Sequence, residues 1–328
     1  MNTMKWLLRR EFWEHKGGFV WAPLIAAVIM VVLVAGVVGY GVSSGRMNGD
    51  SITVRVGGEE VHRSQMADLA TRHSRTEMAS VAANNYIAVG APVFIVLPTV
   101  AFFYFLAALY DDRRDRSILF WKSLPISDST TVLSKLLTGL VLAPVITVGI
   151  ASAAAFLILM LAGVAVSAQG VNLFGPVLSN VNLYLSPLYL LAMIPVYVLW
   201  ALPTAGWLLL VSSWAKSKVF LWAVGLPLIV AVLLKWMDYL LALYGSTIHA
   251  DWIVNNVLET LLLGLVPGAW FMDGGTAMPV NGGHGVNLLS VLGASWGSLA
   301  RPELWVGAAA GVAMILGAVR LRRWRDEG

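Results

Sequence analysis

The residues of this sequence that could do chemistry are concentrated in one short stretch. Residues 111–135 read DDRRDRSILFWKSLPISDSTTVLSK and form the densest group of charges in the chain. Three aspartates, Asp111, Asp112 and Asp115, supply the oxygen atoms that a metal site or acid–base catalysis requires. Three arginines alternate with them, namely Arg113, Arg114 and Arg116. This spacing predicts a solvated surface that pairs with itself, so we expect neither a catalytic nor a metal-binding residue here.

The usual signatures of hydrolases and nucleotide-binding enzymes are missing. The sequence has no G-x-x-x-x-G-K-[ST] and no H-E-x-x-H. Gly293–Gly297 (GASWG) looks like a nucleophile elbow, but it lies in a glycine-rich segment before a short apolar run. His62 and His73 have no carboxylate pair at ligand spacing and are predicted to be solvated. The absence of cysteine excludes thiolate chemistry. We therefore expect that this chain is not an enzyme and holds no cofactor.

The composition is that of an integral membrane protein. The 328 residues are 58% hydrophobic and 12% charged, with a mean hydropathy of +0.76. Soluble proteins carry roughly twice that charged fraction, about 25%. The net charge of +4 and the pI near 9.4 come from basic residues spread over loops that flank apolar runs. This distribution predicts topology signals and contacts with anionic lipid, and no binding of nucleic acid.

The apolar runs predict an all-α polytopic protein with a single transmembrane domain, 1–328. We assign six spans, at about 19–42, 86–109, 136–166, 188–214, 219–238 and 304–319. Met4–Lys16 is predicted to be an amphipathic surface helix, and the external loop 43–85 is predicted to hold a hairpin at 52–61. Region 244–301 is assigned to the outside. Within it, the apolar part of Trp252–Phe271 is too short to span, which predicts a re-entrant or interfacial helix.

The distribution of basic residues gives the orientation. Most of the 22 Lys and Arg residues lie at the N-terminus, in 111–135, at Lys216 and Lys218, and in the C-terminal tail. The positive-inside rule places all these segments, and therefore both termini, in the cytoplasm. Lys235 and Asp238 lie one helical turn apart near the outer end of span 5 and are predicted to pair. Apart from them the spans carry no ionisable group, so we expect that energy for any transport enters from outside the lipid.

The loop between spans 2 and 3 resembles a known coupling element. Arg116–Leu124 has the composition of a short amphipathic helix that ends at Pro125. Asp112–Leu119, followed by Phe120–Leu124 and then Pro-Ile-Ser, is similar to the E-x-x-x-G-T-hydrophobic-E, leucine-rich and P-V-S run of ABC-2 type (type V) ABC transporter permeases. The sequence departs from that pattern at Arg116, where the family commonly has Gly, and at Leu119, where it commonly has an acid.

This resemblance implies a permease subunit of an ATP-driven exporter in a bacterial inner membrane. The loop would be the coupling helix that contacts a separate P-loop ATPase, present in two copies, which binds ATP and Mg. The implied contact residues are Asp112, Arg113, Arg114, Asp115, Arg116, Ser117, Ile118, Leu119, Trp121 and Lys122. A second permease subunit, identical or not, would pack with span 1 against span 5.

The cargo implied by uncharged spans is hydrophobic or amphiphilic, and spans 2 and 5 would line its route. Thr99, Tyr104 and Trp222 are the candidate pathway residues. Two other classes of protein stay open on the sequence alone. One is an ion-coupled secondary transporter, which needs no ATPase. The other is a membrane protein that does not transport, either an assembly factor or a membrane-embedded hydrolase.

Overall fold

The computed structural model describes residues 3–44, 54–56, 59–61, 72–115, 126–168, 172–271, 280–281 and 285–324. Within these residues, six helical runs are long and apolar enough to cross a membrane. They are Thr3–Ser43, Arg75–Arg114, Asp128–Ser167, Val181–Trp214, Leu221–Ala242 and Pro302–Trp324, which we call spans 1 to 6. About 20 helical residues cross the hydrocarbon core, so the longest runs extend beyond it. The prediction of an all-helical, multi-pass membrane protein with six spans is confirmed.

Spans 1 and 3 are built alike and lie side by side. In span 1 the N-terminal helix Thr3–Lys16 passes through a π turn, Gly17–Trp21, into Ala22–Ser43. In span 3, Asp128–Leu137 passes through a π turn, Thr138–Leu142, into Ala143–Ser167. The N-terminal helix packs on Asp128–Leu137, and Ala22–Ser43 packs on Ala143–Ser167. The two spans therefore run parallel, and their first turns meet at the same end of the bundle.

The remaining elements include several broken helices. Span 2 is divided at Gly90 and span 4 at Met193. The helices around span 2 are Arg72–Val89, Ala91–Ala108 and Tyr110–Arg114, and those around span 4 are Phe174–Leu178, Val181–Ala192 and Ile194–Trp214. Span 5 consists of the π turn Leu221–Gly225 and Leu226–Ala242, and it is followed by Ala250–Ile253, the π turn Val254–Leu258, Glu259–Leu263 and the 3₁₀ turn Ala269–Phe271. Leu288–Gly297 and the 3₁₀ turn Ser298–Ala300 precede span 6, which is Pro302–Trp324.

Two short hairpins lie between the helices. Val54–Val56 pairs antiparallel with Glu59–Val61, which confirms the hairpin predicted in the first loop. Val280–Asn281 pairs antiparallel with Gly285–Val286 in a second hairpin that the sequence analysis did not predict. The polar helix expected after the first hairpin is described from Arg72 onward.

Spans 4 and 6 form the tightest contact of the bundle centre. A Cβ atom on Gly206 would lie 2.5 Å from the carbonyl oxygen of Gly311, and one on Gly311 would lie 2.6 Å from that of Leu202. Only glycine permits this approach of two backbones, a common device in membrane helix packing. Spans 1 and 5, by contrast, lie at the periphery and expose most of their large apolar side chains.

The charged residues of span 5 have other partners than the sequence predicts. Lys235 pairs with Asp251 at 3.2 Å, and Asp238 accepts a hydrogen bond from the Ile248 amide at 2.7 Å, so the predicted Lys235–Asp238 pair is replaced by two other contacts. The helical run that begins at Ala250 ends near Gly264, whose amide donates to Thr204 Oγ1 in the helix Ile194–Trp214 of span 4 at 3.1 Å. The run is shorter than the about 20 residues that a helix needs to cross the hydrocarbon core.

Candidate functional site

Five charged side chains meet at the end of the bundle that holds the N-terminal helix and the last turn of span 6. We call them the ionic cluster: Glu11, Asp112, Asp128, Lys135 and Arg322. They come from four elements that are distant in sequence: the N-terminal helix, Tyr110–Arg114 after span 2, Asp128–Leu137 at the start of span 3, and the last turn of span 6. We call this end of the bundle the terminal end. Burial of an unpaired charge is costly, and each member of the cluster has an oppositely charged partner.

Lys135 lies at the centre of the ionic cluster. Its ammonium nitrogen is 3.1 Å from Glu11 Oε1 and 3.6 Å from Asp112 Oδ1. The side chain of Lys135 is 3% exposed and that of Glu11 is 0% exposed, so water does not reach either charged group. One ammonium group therefore bridges two carboxylates and joins the N-terminal helix to the end of span 2.

Arg322 closes the loop between spans 2 and 3. Its Nη1 donates to Asp112 Oδ2 at 2.8 Å, and its Nε donates to Asp128 Oδ1 at 3.1 Å. Asp112 lies in the last helical turn before the loop between spans 2 and 3, and Asp128 lies in the first turn after it. A single guanidinium group therefore holds both ends of this loop. Arginine suits this task because its planar group presents several donors in fixed directions.

Tyr104 contacts the ionic cluster. Its hydroxyl lies 3.1 Å from Glu11 Oε2, to which it donates, and 3.2 Å from the carbonyl oxygen of Lys135. The rings of His15 and Phe19 pack edge-on against it at centroid distances of 4.8 and 4.9 Å. The structure thus places this candidate pathway residue against the buried Glu11 carboxylate.

Arg113 anchors the start of the loop to span 4. Its Nη2 donates to the carbonyl oxygens of Ser212 at 2.6 Å and Ala215 at 3.0 Å. The Ser212 hydroxyl in turn accepts from the amides of Leu109 and Tyr110 at 3.0 and 2.9 Å. These bonds satisfy carbonyl groups that the end of a helix leaves open. The end of span 2 is consequently tied to spans 3, 4 and 6 and to the N-terminal helix.

The predicted contact residues divide into three groups. Asp112 and Arg113 face the protein interior, where Asp112 is buried and pairs with Lys135 and Arg322. Arg114 and Asp115 are exposed. The others lie outside the described residues: Arg116, Ser117, Ile118, Leu119, Trp121 and Lys122. The sequence analysis missed the roles of Glu11, Asp128 and Arg322, whose partners are up to 210 residues away.

A large apolar groove lies along span 2. It encloses about 880 Å³ between span 2, the first half of span 4 and the turn after Leu263, and we call it the span 2 groove. Thr99 lines it, and none of the described residues that line it is charged. Trp222 lies elsewhere, with its ring 5.0 Å from that of Trp214. Representative lining residues are Phe94, Pro98, Phe102, Met193, Ile194 and Phe271.

Comparison with protein-family models, with curated proteins and with solved structures finds no match to this chain. Within the described ranges, no group of three or more His, Asp or Glu side chains is arranged to hold a metal ion. Function must therefore be argued from the chemistry of the site, because the fold alone does not define it.

Proposed function

We propose that this chain is the permease subunit of an ATP-driven exporter of the ABC-2 (type V) class, in which the loop between spans 2 and 3 receives force from a separate ATPase. The observation that carries the proposal is Arg322, which joins Asp112 and Asp128 across that loop. A loop that only connects two helices needs no such link. A loop that is pushed must be held at both ends if its motion is to reach the spans.

The ionic cluster supplies a rigid base for this motion. Breaking one partner of a buried ion pair costs about 3–5 kcal/mol, so the four elements joined by the cluster resist separation. Arg113 adds span 4 to the same unit through its bonds to Ser212 and Ala215. A displacement of the loop is then shared by the packed helices as a rigid-body shift, which is how such transitions are commonly transmitted.

The surface offered to the ATPase combines charge with apolar groups. Arg114 and Asp115 are exposed at the start of the loop. The sequence continues with Arg116, Leu119 and Trp121, residue types that suit a hydrophobic anchor with a charged rim. In this proposal two ATPase copies bind ATP and Mg, and the terminal end faces the cytoplasm of a bacterial inner membrane.

The proposed assembly contains a second permease subunit. Spans 1 and 5 expose large apolar side chains such as Val37 and Val232, which suits a seam between subunits within the bilayer. In the same proposal, the segment from Ala250 to Phe271 is re-entrant. It contacts Thr204 at the centre of the helix Ile194–Trp214, the second helix of span 4, and its own helix is too short to cross.

The span 2 groove supports a hydrophobic or amphiphilic cargo. A volume of about 880 Å³ falls within the range of ligand sites, about 300–1,000 Å³. The described lining offers no charge to compensate a charged cargo, whose burial would cost several kcal/mol. Thr99 places one hydroxyl on this wall, hydrogen-bonded to the Ile95 carbonyl at 3.2 Å.

An ion-coupled transporter is the second candidate, and the ionic cluster is the observation that favours it. Glu11 and Asp112 are buried carboxylates, a type of group that ion-coupled transporters use, and the sequence analysis did not expect them to be buried. Both carboxylates, however, share Lys135 as a counter-ion. The paired state favours a structural role, and inhibition of transport by vanadate or by uncouplers separates the two mechanisms.

The test is co-purification of an ATPase from native membranes, followed by transport assays in vesicles. Trp121→Ala combined with Arg116→Glu is expected to abolish binding of the ATPase and vanadate-sensitive transport while the protein still inserts. Trp324→Ala combined with Arg320→Glu is the matched control, because both residues are exposed at the terminal end. Arg322→Gln is expected to retain the ATPase and lose transport. Normal transport by the loop variant, or a loop accessible only from outside the cell, would refute the proposal.

A further inference from the structure

A second groove lies at the terminal end, between the N-terminal helix and the start of span 3. It encloses about 540 Å³ and is almost entirely apolar. We call it the span 3 groove. Arg9 is the one charged side chain among the described residues that line it. The lining residues are Leu8, Arg9, Phe12, Leu137, Val141, Leu142, Val145 and Ile146.

The span 3 groove changes from charged to apolar along its length. Arg9 lies on the N-terminal helix one turn before the point where Phe12 enters the wall. The other wall follows span 3 from Leu137 to Ile146, a rise of about 14 Å. Both helices run in the same direction, so the apolar part extends toward the bilayer centre. Its polarity profile is that of one acyl chain beneath a head group.

The cations at the entrance are available for a ligand. Lys5 precedes Arg9 by one helical turn, so the two side chains are neighbours on the helix surface. Both are exposed, and within the described residues neither makes a hydrogen bond or ion pair. Their neighbour Arg10 differs, because it pairs with Glu14 at 3.3 Å. Two unpaired positive charges at one entrance favour an anion.

The surroundings of the groove indicate lipid. Leu133 and Val145 on span 3 are large apolar residues exposed on the described surface. Trp6 and Trp13 are exposed on the N-terminal helix, and tryptophan prefers the level of the head groups. A soluble anion would gain nothing from the apolar wall, whereas a phospholipid uses both parts of the site.

We propose that the span 3 groove binds one anionic phospholipid, with an acyl chain between the N-terminal helix and span 3 and the phosphate on Arg9 and Lys5. Each basic residue near an anionic lipid strengthens binding about fivefold. The bound lipid contacts the same helix that carries Glu11 into the ionic cluster. Such a site would exist whether or not the chain works with an ATPase.

The test uses native mass spectrometry of the purified full-length protein, titrated with phosphatidylglycerol or phosphatidylcholine of identical acyl chains. Lys5→Gln combined with Arg9→Gln is expected to weaken the first bound phosphatidylglycerol about 25-fold and to weaken phosphatidylcholine much less, because its choline ammonium offsets the charge of the phosphate. Arg320→Gln combined with Arg323→Gln is the control. These two cations are exposed at the same end, outside the described lining of the groove, and their loss should leave the first binding constant unchanged.

A substitution within the groove tests the acyl chain. Val145→Trp is expected to fill it and to weaken the first binding of both lipids, whereas Val164→Trp, at an exposed position further along span 3, should not. Glycerol phosphate at millimolar concentration should not compete. If the variant at Lys5 and Arg9 and the variant at Arg320 and Arg323 lost equal affinity for phosphatidylglycerol, the attraction would be diffuse and the proposal would be overturned. Competition by glycerol phosphate, or full binding by Val145→Trp, would also overturn it.

Discussion

Two ion pairs of nearly equal length lie in different parts of this protein. Lys135 and Glu11 are 3.1 Å apart in the ionic cluster, and Lys235 and Asp251 are 3.2 Å apart beyond the middle of span 5. The first pair is almost fully buried, whereas the side chains of the second are 54% and 79% exposed. Distance alone does not distinguish them. Burial within the protein does, because groups outside the protein interior can screen the exposed pair and replace either partner but cannot reach the buried one.

The two pairs also differ in what they connect. Asp251 belongs to the helical run that directly follows span 5, so the exposed pair joins neighbours in sequence. The ionic cluster joins residues from both termini to both ends of the loop between spans 2 and 3. Loss of the exposed pair should loosen only the connection between span 5 and the helical run that begins at Ala250. Loss of the cluster should separate the elements that the proposed coupling requires to move together.

The largest effect is expected from Lys135→Met, which keeps the length of the side chain and removes its charge. Glu11 and Asp112 then lose the cation that they share, and the free energy of unfolding should fall by about 3–5 kcal/mol. Reversible unfolding in mixed micelles measures the change. The result would show that the cluster, unlike the exposed pair, contributes substantially to stability.

Two variants control this measurement. Leu133→Met lies on the same helix at an exposed apolar position and should change the free energy of unfolding by less than about 0.5 kcal/mol. Glu11→Gln added to Lys135→Met should recover part of the loss, because it removes a carboxylate left without its cation. A loss below about 1 kcal/mol for Lys135→Met would contradict the role assigned to burial.

An intermediate effect is expected from Asp128→Asn. The side chain of Asp128 is 25% exposed and accepts from Arg322 Nε, while Arg322 keeps its buried bond to Asp112. Asp128 also lies in the first turn of its helix, where a negative charge is favourable. We expect the free energy of unfolding to fall by about 1–2 kcal/mol, measured in the same way. Asp115→Asn, an exposed aspartate on the other side of the loop, is the control and should have little effect.

The parts of the fold that local pattern determines could be predicted from the sequence. Long apolar runs gave the six spans, since a polypeptide can cross hydrocarbon only if its backbone groups bond internally, as in a helix. Two glycines between short alternating segments predicted the hairpin at Val54–Val61, which the structure contains. Span ends were less predictable. Span 6 continues to Trp324, because an apolar helix does not stop where charge begins.

The ionic cluster could not be predicted, because its pairs are set by packing. Asp112 has two arginines directly after it in sequence, which suggested a solvated surface that pairs with itself. Folding instead buries Asp112 and brings Arg322, 210 residues away, within 2.8 Å. Tyr104 was predicted to line the pathway from its position in an uncharged span. Its hydroxyl bonds to Glu11, a residue to which the sequence analysis assigned no role.

The smallest effect is expected from Lys235→Gln, which removes the exposed pair. The free energy of unfolding should change by less than about 1 kcal/mol at low salt. Raising the ionic strength from about 0.05 to 0.5 M should erase even this difference, because the Debye length falls to a few ångströms. Asp251→Asn should change the free energy of unfolding by the same amount as Lys235→Gln, because each removes one partner of the same ion pair. The deficit of Lys135→Met, in contrast, should persist in high salt, because a buried pair excludes the screening ions. If salt reduced both deficits alike, burial would not be what separates the two pairs.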